Sequence, residues 1–426
     1  MSRSIKLFLI FVVLSTINST AAEPVNLFSD VPKHTFIDQA SILEGPTGVS
    51  RQLQENENVD AIQDRISPMQ AFSDWKVMLK EQYGLTFGLE ASILFQKAQK
   101  VLPGREDDAG STLYRFHGAW KVFDMKNGHT GRIEWRVENR SAFASLQSPS
   151  ELSSSIGMHS LNSGFTYIDN FDTDLAVINW TQIFENRGGF TIGRLAFDVY
   201  LDDFLFQTYS RAFLNRSFIY NPAMPTTGVG ALGAVVKGFV TDNILIGAQI
   251  YDANAVSGKF DMDTFKQHEW LKAIEIAWTP SISQYKIDRI KLTYWQKDER
   301  KKAGVKEGRG WAVSASHQFS EDMIPFFRFG HSNGGGGVVA KNAASIGFEY
   351  HTQKGHAWSL GIGWGEPSEN TYTENLKDEY VFETSYRVQV TPSISLTPDI
   401  QFLLNPTNNQ NVDRNWVLGL RCILML

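Results

Sequence analysis

In the stretch from Arg132 to Arg140, Ile133, Trp135 and Val137 alternate with Arg132, Glu134, Arg136, Glu138 and Arg140. Successive side chains of a strand point to opposite faces, so this segment has one greasy face and one ionised face. The same alternation opens earlier. Leu85, Phe87, Leu89, Ala91, Ile93 and Phe95 share one side, and Thr86, Glu90, Ser92 and Gln96 the other. Beyond the leader no segment approaches the run of about 18 apolar residues that a membrane-crossing helix needs, which excludes a helical membrane protein. The chain is rich in glycine (34) and aromatics (29 Phe, 13 Tyr, 11 Trp) and poor in helical patterning, which points to an all-β protein.

Sixteen alternating segments are predicted, beginning near residues 83, 113, 130, 174, 189, 228, 244, 269, 288, 310, 324, 343, 356, 379, 393 and 414. Their connections alternate long and short. Long ones lie near 99–112, 141–173, 198–227, 253–268, 297–309, 331–342, 364–378 and 405–413. Short ones lie near Lys126–His129, Glu185–Gly188, Thr241–Asn243, Thr279–Ile287, Ser320–Met323, Thr352–Gly355 and Thr391–Pro392. An up-and-down transmembrane β-barrel of about sixteen antiparallel strands predicts this rhythm, with long external loops, short periplasmic turns and both termini in the periplasm. Greek-key sandwiches have no reason to alternate so.

In a soluble sandwich the greasy faces would form the core; in a membrane barrel they face lipid and the polar faces surround water. Aromatic placement favours the second. Trp270 and Trp278 bracket one strand on its apolar side, as Trp311 and Phe319 bracket another. Eight residues at about 3.4 Å each, tilted about 40°, climb roughly 21 Å, close to the ~25 Å apolar band between aromatic girdles. Trp358, Trp364, Tyr380 and Trp416 share the apolar parity near strand ends. The chain also alternates to its last residue through Trp416, Leu418, Leu420, Cys422, Leu424 and Leu426, whereas soluble chain ends usually fray.

Residues 1–22 read as a signal peptide: basic Arg3 and Lys6, the apolar run Leu7–Leu14, then Thr20, Ala21 and Ala22 before Glu23. Its removal takes the formal charge from -6 to -8, against nucleic-acid binding. Residues 23–80 contain Pro32, Pro46 and Pro68, the polar run Gln52–Asp60 and a short predicted helix at Ala71–Lys80. They are expected to form a periplasmic extension, disordered or folded as a small plug, before a barrel over 81–426. The lone Cys422 permits no internal disulfide, and no histidine spacing suggests a metal; neither cofactor nor metal is expected.

A channel needs a wet path lined by groups that trade hydrogen bonds with a solute, not a nucleophile. The inward parity supplies Glu90, Arg115, Arg132, Glu134, Arg136, Glu138, Arg194, Glu383, Arg387, Gln389, Asp399, Gln401 and Arg421 as pore-lining or substrate-contact candidates. Both signs in quantity suit neutral polyols, whose hydroxyls donate and accept; the alternative role is to pair with one another and stiffen the wall. Arg211 joins the candidates from the long connection Asp198–Thr227, which also carries Tyr200, Phe204, Phe206, Tyr209, Phe213, Arg216, Phe218 and Tyr220. Folded inward, it would narrow the bore and offer stacking faces to sugar rings; otherwise it is a packed external cap.

Glu383, Tyr386, Arg387, Gln389, Thr391, Pro392, Leu396, Thr397, Pro398, Asp399, Gln401, Asn405 and Pro406, followed by Arg421, form a specific block. It resembles the OprB-type carbohydrate-selective porin family, as do Gly361–Pro367 and the Gly228–Asp252 hairpin, over roughly Gly84–Leu426. The resemblance implies a sixteen-stranded bacterial outer-membrane barrel for passive diffusion of monosaccharides and related small solutes. Its expected partners are small sugars, outer-membrane lipid and the barrel-assembly machinery. Leu426 departs from the aromatic that commonly ends such barrels, and the leader before residue 80 has no evident match.

Three rivals stand beside this reading. One is a general diffusion or polysaccharide-export barrel. Another is a soluble secreted sandwich. The third is an outer-membrane lipid-acting enzyme, for which His331, Ser332, Asn333 and Gly334 resemble an HxSNG motif without its spacer. Adjacent strand residues point to opposite faces, which argues against that serine–histidine pair and for a non-enzyme.

Overall fold

The computed structural model describes residues 42–63, 70–143, 146–161, 171–259, 262–352, 355–370, 376–409 and 411–426. The signal-peptide reading of residues 1–22, and the extension as far as residue 41, lie outside the described residues.

Sixteen strands close into one antiparallel barrel. They are β1 Leu85–Ala98, β2 Asp108–Asp124, β3 Thr130–Ala142, β4 Phe171–Phe184, β5 Gly188–Leu195, β6 Ala231–Phe239, β7 Ile244–Asp252 and β8 Trp270–Trp278. They continue as β9 Arg289–Lys297, β10 Gly308–Ser316, β11 Met323–Ser332, β12 Ala340–His351, β13 Ala357–Pro367, β14 Glu379–Gln389, β15 Ile394–Leu404 and β16 Arg414–Met425. Each pairs with its sequence neighbour, and β1 meets β16 from Glu90↔Met425 to Ala98↔Val417. The apolar tail therefore closes the barrel. β2 starts at Asp108, ahead of the predicted 113. The ladder to β1 extends it through Ala109, Gly110 and Ser111, where no apolar alternation marks a strand.

The expected parity holds. Trp278, Ile274, Ile276, Ile290, Leu292, Ile346, Ile362 and Leu418 stand exposed on the outer wall, while Glu134, Lys291, Glu275 and Arg421 are buried inside. Trp120, Phe184, Trp278, Phe319, Tyr350, Trp358 and Tyr386 form an outer aromatic girdle at the end with the short turns, and Phe95, Trp311, Tyr380 and Trp416 one at the loop end. A single closed sheet with its greasy side outward is not a sandwich. The turn between β4 and β5 shows how tightly the short end is tied. Glu185 and Asn186 both take positive φ (49° and 57°), as a type I′ turn requires, and the Arg187 amide closes the turn on the Phe184 carbonyl at 2.9 Å.

Among the described residues, three helices of eight residues or more lie off the wall. α1 (Val49–Gln63) enters the bore, α2 (Gln70–Tyr83) lies against the outer wall, and α3 (Pro149–Ile156) packs at the loop end. α3 starts with a Ser148/Glu151 capping box and Pro149, and stops at Gly157 with φ 91°. The described part of the extension is thus partly inside the barrel. Thr47 accepts a bond from Arg136 through its carbonyl, Ser50 donates to Glu134, and Asn56 donates to the Leu426 carbonyl. Polar residues that read as loop, Gln52 and Asn56, are retained there because the ionised lumen supplies their partners Glu90 and His117.

Candidate functional site: the charged lumen

On β3 the alternating charges bond along the strand. Arg132 Nε lies 2.7 Å from Glu134, Arg136 Nε 2.9 Å from Glu138, and Arg140 Nη2 2.6 Å from Glu138. Arg115 of β2 reaches Glu138 at 2.7 Å and Glu90 of β1 at 3.5 Å. One carboxylate thus holds three guanidiniums. The Arg115 guanidinium also sits 4.6 Å over the Tyr209 ring. Charges this deep are tolerated only with such complete pairing. The N-terminal segment seals the group: Ser50 bonds Glu134 and contacts Arg132, whose guanidinium also reaches Glu44 at 3.5 Å. Burial, and then the Glu134 carboxylate, push the Glu44 carboxyl well above the usual carboxylate range.

The connection between β5 and β6 folds into the bore, and two adjacent aspartates fasten it. Asp203 accepts from Lys237 (3.0 Å), Arg289 (2.8 Å) and Lys291 (2.8 Å), while its carbonyl takes Arg289 and Lys291 again at 2.6 Å. Glu275 of β8 shares Lys237 (2.9 Å) and Lys291 (3.5 Å) and accepts the Asp202 amide at 2.8 Å. Asp202 itself takes Arg328 of β11 at 2.6 Å. Burial raises the Asp203 carboxyl, but Arg289, Lys237 and Lys291 together outweigh it and hold that carboxyl well below its ordinary range.

Strands β14 to β16 grip the other limb of the loop by its backbone. Glu383 accepts the Leu214 and Asn215 amides at 2.6 and 3.0 Å, and Gln401 accepts from the Asn215 side chain at 3.1 Å. Ser385 donates to the Ala212 carbonyl at 2.7 Å. Arg421 donates to the Tyr209 and Arg211 carbonyls at 2.6 and 2.7 Å. Asp399 bonds Gln401 at 3.1 Å. Glu379 does the same for the loop after α3, accepting the His159, Ser160 and Leu161 amides.

The inward candidates therefore divide. Glu90, Arg115, Arg132, Glu134, Arg136, Glu138, Arg194, Glu383, Asp399, Gln401 and Arg421 are buried. Arg194 is braced by Asp174 and by the Leu175 and Lys259 carbonyls, each at 2.7 Å. Arg211, Arg387 and Gln389 are the ones water reaches. The Arg211 side chain keeps 26% of its exposure, against none for Glu138. Around it stand groups that strand alternation did not single out. Glu55 of α1 lies 3.7 Å from both Arg211 and Arg51, and Glu349 of β12 lies 2.7 Å from the half-buried His351.

The loop's aromatics are not free stacking faces. Phe204, Phe206, Phe213 and Phe218 pack around Phe326 of β11 with centroids 5.1–6.3 Å from it, and Tyr200, Tyr209 and Tyr220 are buried. A chain of this length folded into a tube needs its own core, and these rings form it. Parity also marks Lys237, Glu275, Arg289, Lys291 and Arg328 as lumen residues beyond the expected set: Arg289, Lys291 and Thr293 alternate with Ile290, Leu292 and Tyr294. Asp202, Asp203, Arg51 and Glu55 lie outside any strand and carry no such signal. His331 Nδ1 is 2.7 Å from Asn342 on the outer face, whereas Ser332 bonds the Ala340 carbonyl at 3.1 Å inside. They form no catalytic pair.

A closed sixteen-stranded barrel, apolar outside, ionised within and narrowed by an in-folded connection, is a porin. The family model described as "Carbohydrate-selective porin, OprB family" matches residues 137–423, and the chain belongs to that family. Among curated protein sequences, none matches this chain. The high-pH structure of Pseudomonas putida OprB superposes with TM-score 0.68 at 13% identity, covering 83% of this chain and 97% of its own. An engineered variant of the Rh. blastica porin superposes with TM-score 0.50 at 10% identity, covering 80% of this chain and all of its own. At these identities both show likeness of fold alone.

Proposed function

We propose that sugars cross this porin past Arg211, Arg387 and Gln389, with Arg51, Glu55 and His351 beside them, and that the buried charges, Glu349 among them, are struts holding the constriction. The supporting observation is the division by exposure: inward-facing charges that water reaches gather around Arg211, while those on β1 to β3 are paired and sealed. Planar guanidiniums beside carboxylates both donate to and accept from sugar hydroxyls. The short turns and both termini face the periplasm in this reading. The outer belt sits in lipid, β16 is what the barrel-assembly machinery meets, and the channel performs no catalysis.

The test is liposome swelling with monosaccharides against amino acids of similar size. Wild-type protein prefers the sugars. In the Arg211→Ala/Arg387→Ala double variant that preference falls at least about tenfold, since the loss of even one hydrogen bond to a charged group, about 1.5 kcal/mol, changes it by that factor. An unchanged preference removes these residues from the path, and equal rates in wild type leave a general diffusion pore. For the lipid belt, Val137→Arg on the outward face of β3 is expected to cost about 2–4 kcal/mol near mid-bilayer, read as folding yield into vesicles. Equal yields contradict the face assignment.

A further inference from the structure

α2 stands where a soluble extension has no reason to be. Phe87 is the third residue of β1 and has outward parity, yet it is buried. Its cover is α2: the Trp75 ring lies 5.4 Å and the Phe72 ring 6.2 Å from it. Phe87 in turn lies 6.0 Å from Phe116, an exposed member of the outer belt. Asn56, on the preceding helix, is bonded inside the bore to His117 and to the Leu426 carbonyl. The chain is thus inside the tube at Asn56 and outside it at Trp75.

The docked helix still shows apolar surface. Ser73 and Lys76 face the wall and are buried, while Trp75 is 47% exposed. Ala71, Trp75 and Met78 follow an i, i+4, i+7 spacing and so share a face; Asp74 and Glu81 share the flank beside it. Trp75 meets β1 at Phe87, two residues from Leu85, the ladder partner of the girdle's Trp120. A half-exposed tryptophan at the height of an aromatic girdle is where the amphipathic ring of a membrane-interface residue sits.

We propose that α2 is a membrane-interface helix. Its Ala71–Trp75–Met78 face rests in the acyl–headgroup boundary of the leaflet at the short-turn end, clamped to the barrel by Phe87. This rests on the reading of the outer belt as the lipid-facing surface. What covers the face is lipid, because the face is continuous with that belt through Phe87 and Phe116; the buried Lys76 ammonium at the join lies over the Phe72 and Phe87 rings, 5.7 and 5.8 Å from their centroids.

Single cysteines at 71, 78, 74 and 81 in a Cys422→Ser background, spin-labelled in full-length protein, test it. The protein is reconstituted in phosphatidylethanolamine–phosphatidylglycerol vesicles, and accessibility to oxygen is compared with that to a water-soluble nickel chelate. Positions 71 and 78 favour oxygen severalfold, and 74 and 81 favour the chelate. Four chelate-accessible positions overturn the proposal. So does a contrast that disappears when protein is diluted in lipid, which means a second copy covers the face. A label at Ile276, mid-belt, separates the two levels. If it also favours the chelate, the bilayer reading itself fails; if only α2 does, the barrel is in the membrane and the helix is not.

Discussion

Asp203→Asn is expected to destabilise the folded barrel by about 3–5 kcal/mol, the usual cost of removing one partner from a buried ionic group. Lys237, Arg289 and Lys291 all converge on this carboxylate, and of the three Glu275 pairs only with Lys237 and Lys291. The loop it fastens is expected to loosen, so single-channel conductance rises as the unfolding midpoint falls. An exposed pair is the control. Lys121 and Asp124 are each about half exposed, and Asp124→Asn is expected to change stability by at most about 1 kcal/mol. The sign of the pH dependence follows. The Asp203 carboxyl is held below its unfolded value, so its contribution is complete above the ordinary carboxylate range, near 3.9. It is lost as pH falls through the lower, folded value. Stability of wild type relative to Asp203→Asn is therefore constant from pH 7 to about pH 5 and converges only in strong acid. Equal midpoints at pH 7 would show that the aspartate is not the loop's fastening.

Glu383→Ala is the second large effect. Its carboxylate accepts two amides of the in-folded loop and is wholly buried. Truncation leaves both donors without partners at about 1–3 kcal/mol each, or roughly 2–6 kcal/mol together. Residues 209–215 are expected to detach from β14 to β16, widening the bore, raising conductance and lowering discrimination among sugars in swelling assays. Ser385→Ala removes one neutral bond to the same loop and should cost about 1 kcal/mol with little change in conductance. If both variants conduct alike, Glu383 does not set the constriction and the loop is held elsewhere.

These predictions reverse the emphasis that the sequence suggests. Glu383, Gln401 and Arg421, prominent in the C-terminal block, read as solute contacts because parity turns them inward. Inward, however, is not the same as wet: the space they point into is already filled by loop backbone. Arg211 was legible only as an arginine in a long connection, and it is one of the lumen charges that water still reaches. The strand pattern marks faces and says nothing of which long loop turns inside.

The number of strands, their order, the rhythm of loops and turns and the greasy exterior are all written in the sequence. Order, rhythm and exterior follow from a period of two residues and from turn chemistry, both local properties of the backbone; the count of sixteen is also what the resemblance to the porin family implies. What fills the tube was settled only by tertiary structure. The placement of Ser50 and Asn56 against the wall, the grip of three cations on Asp203, the core that the loop's phenylalanines make with Phe326 and the seating of Trp75 on Phe87 join residues far apart in the chain. Such contacts depend on which distant carboxylates and rings meet in a confined space, and no local periodicity encodes that meeting.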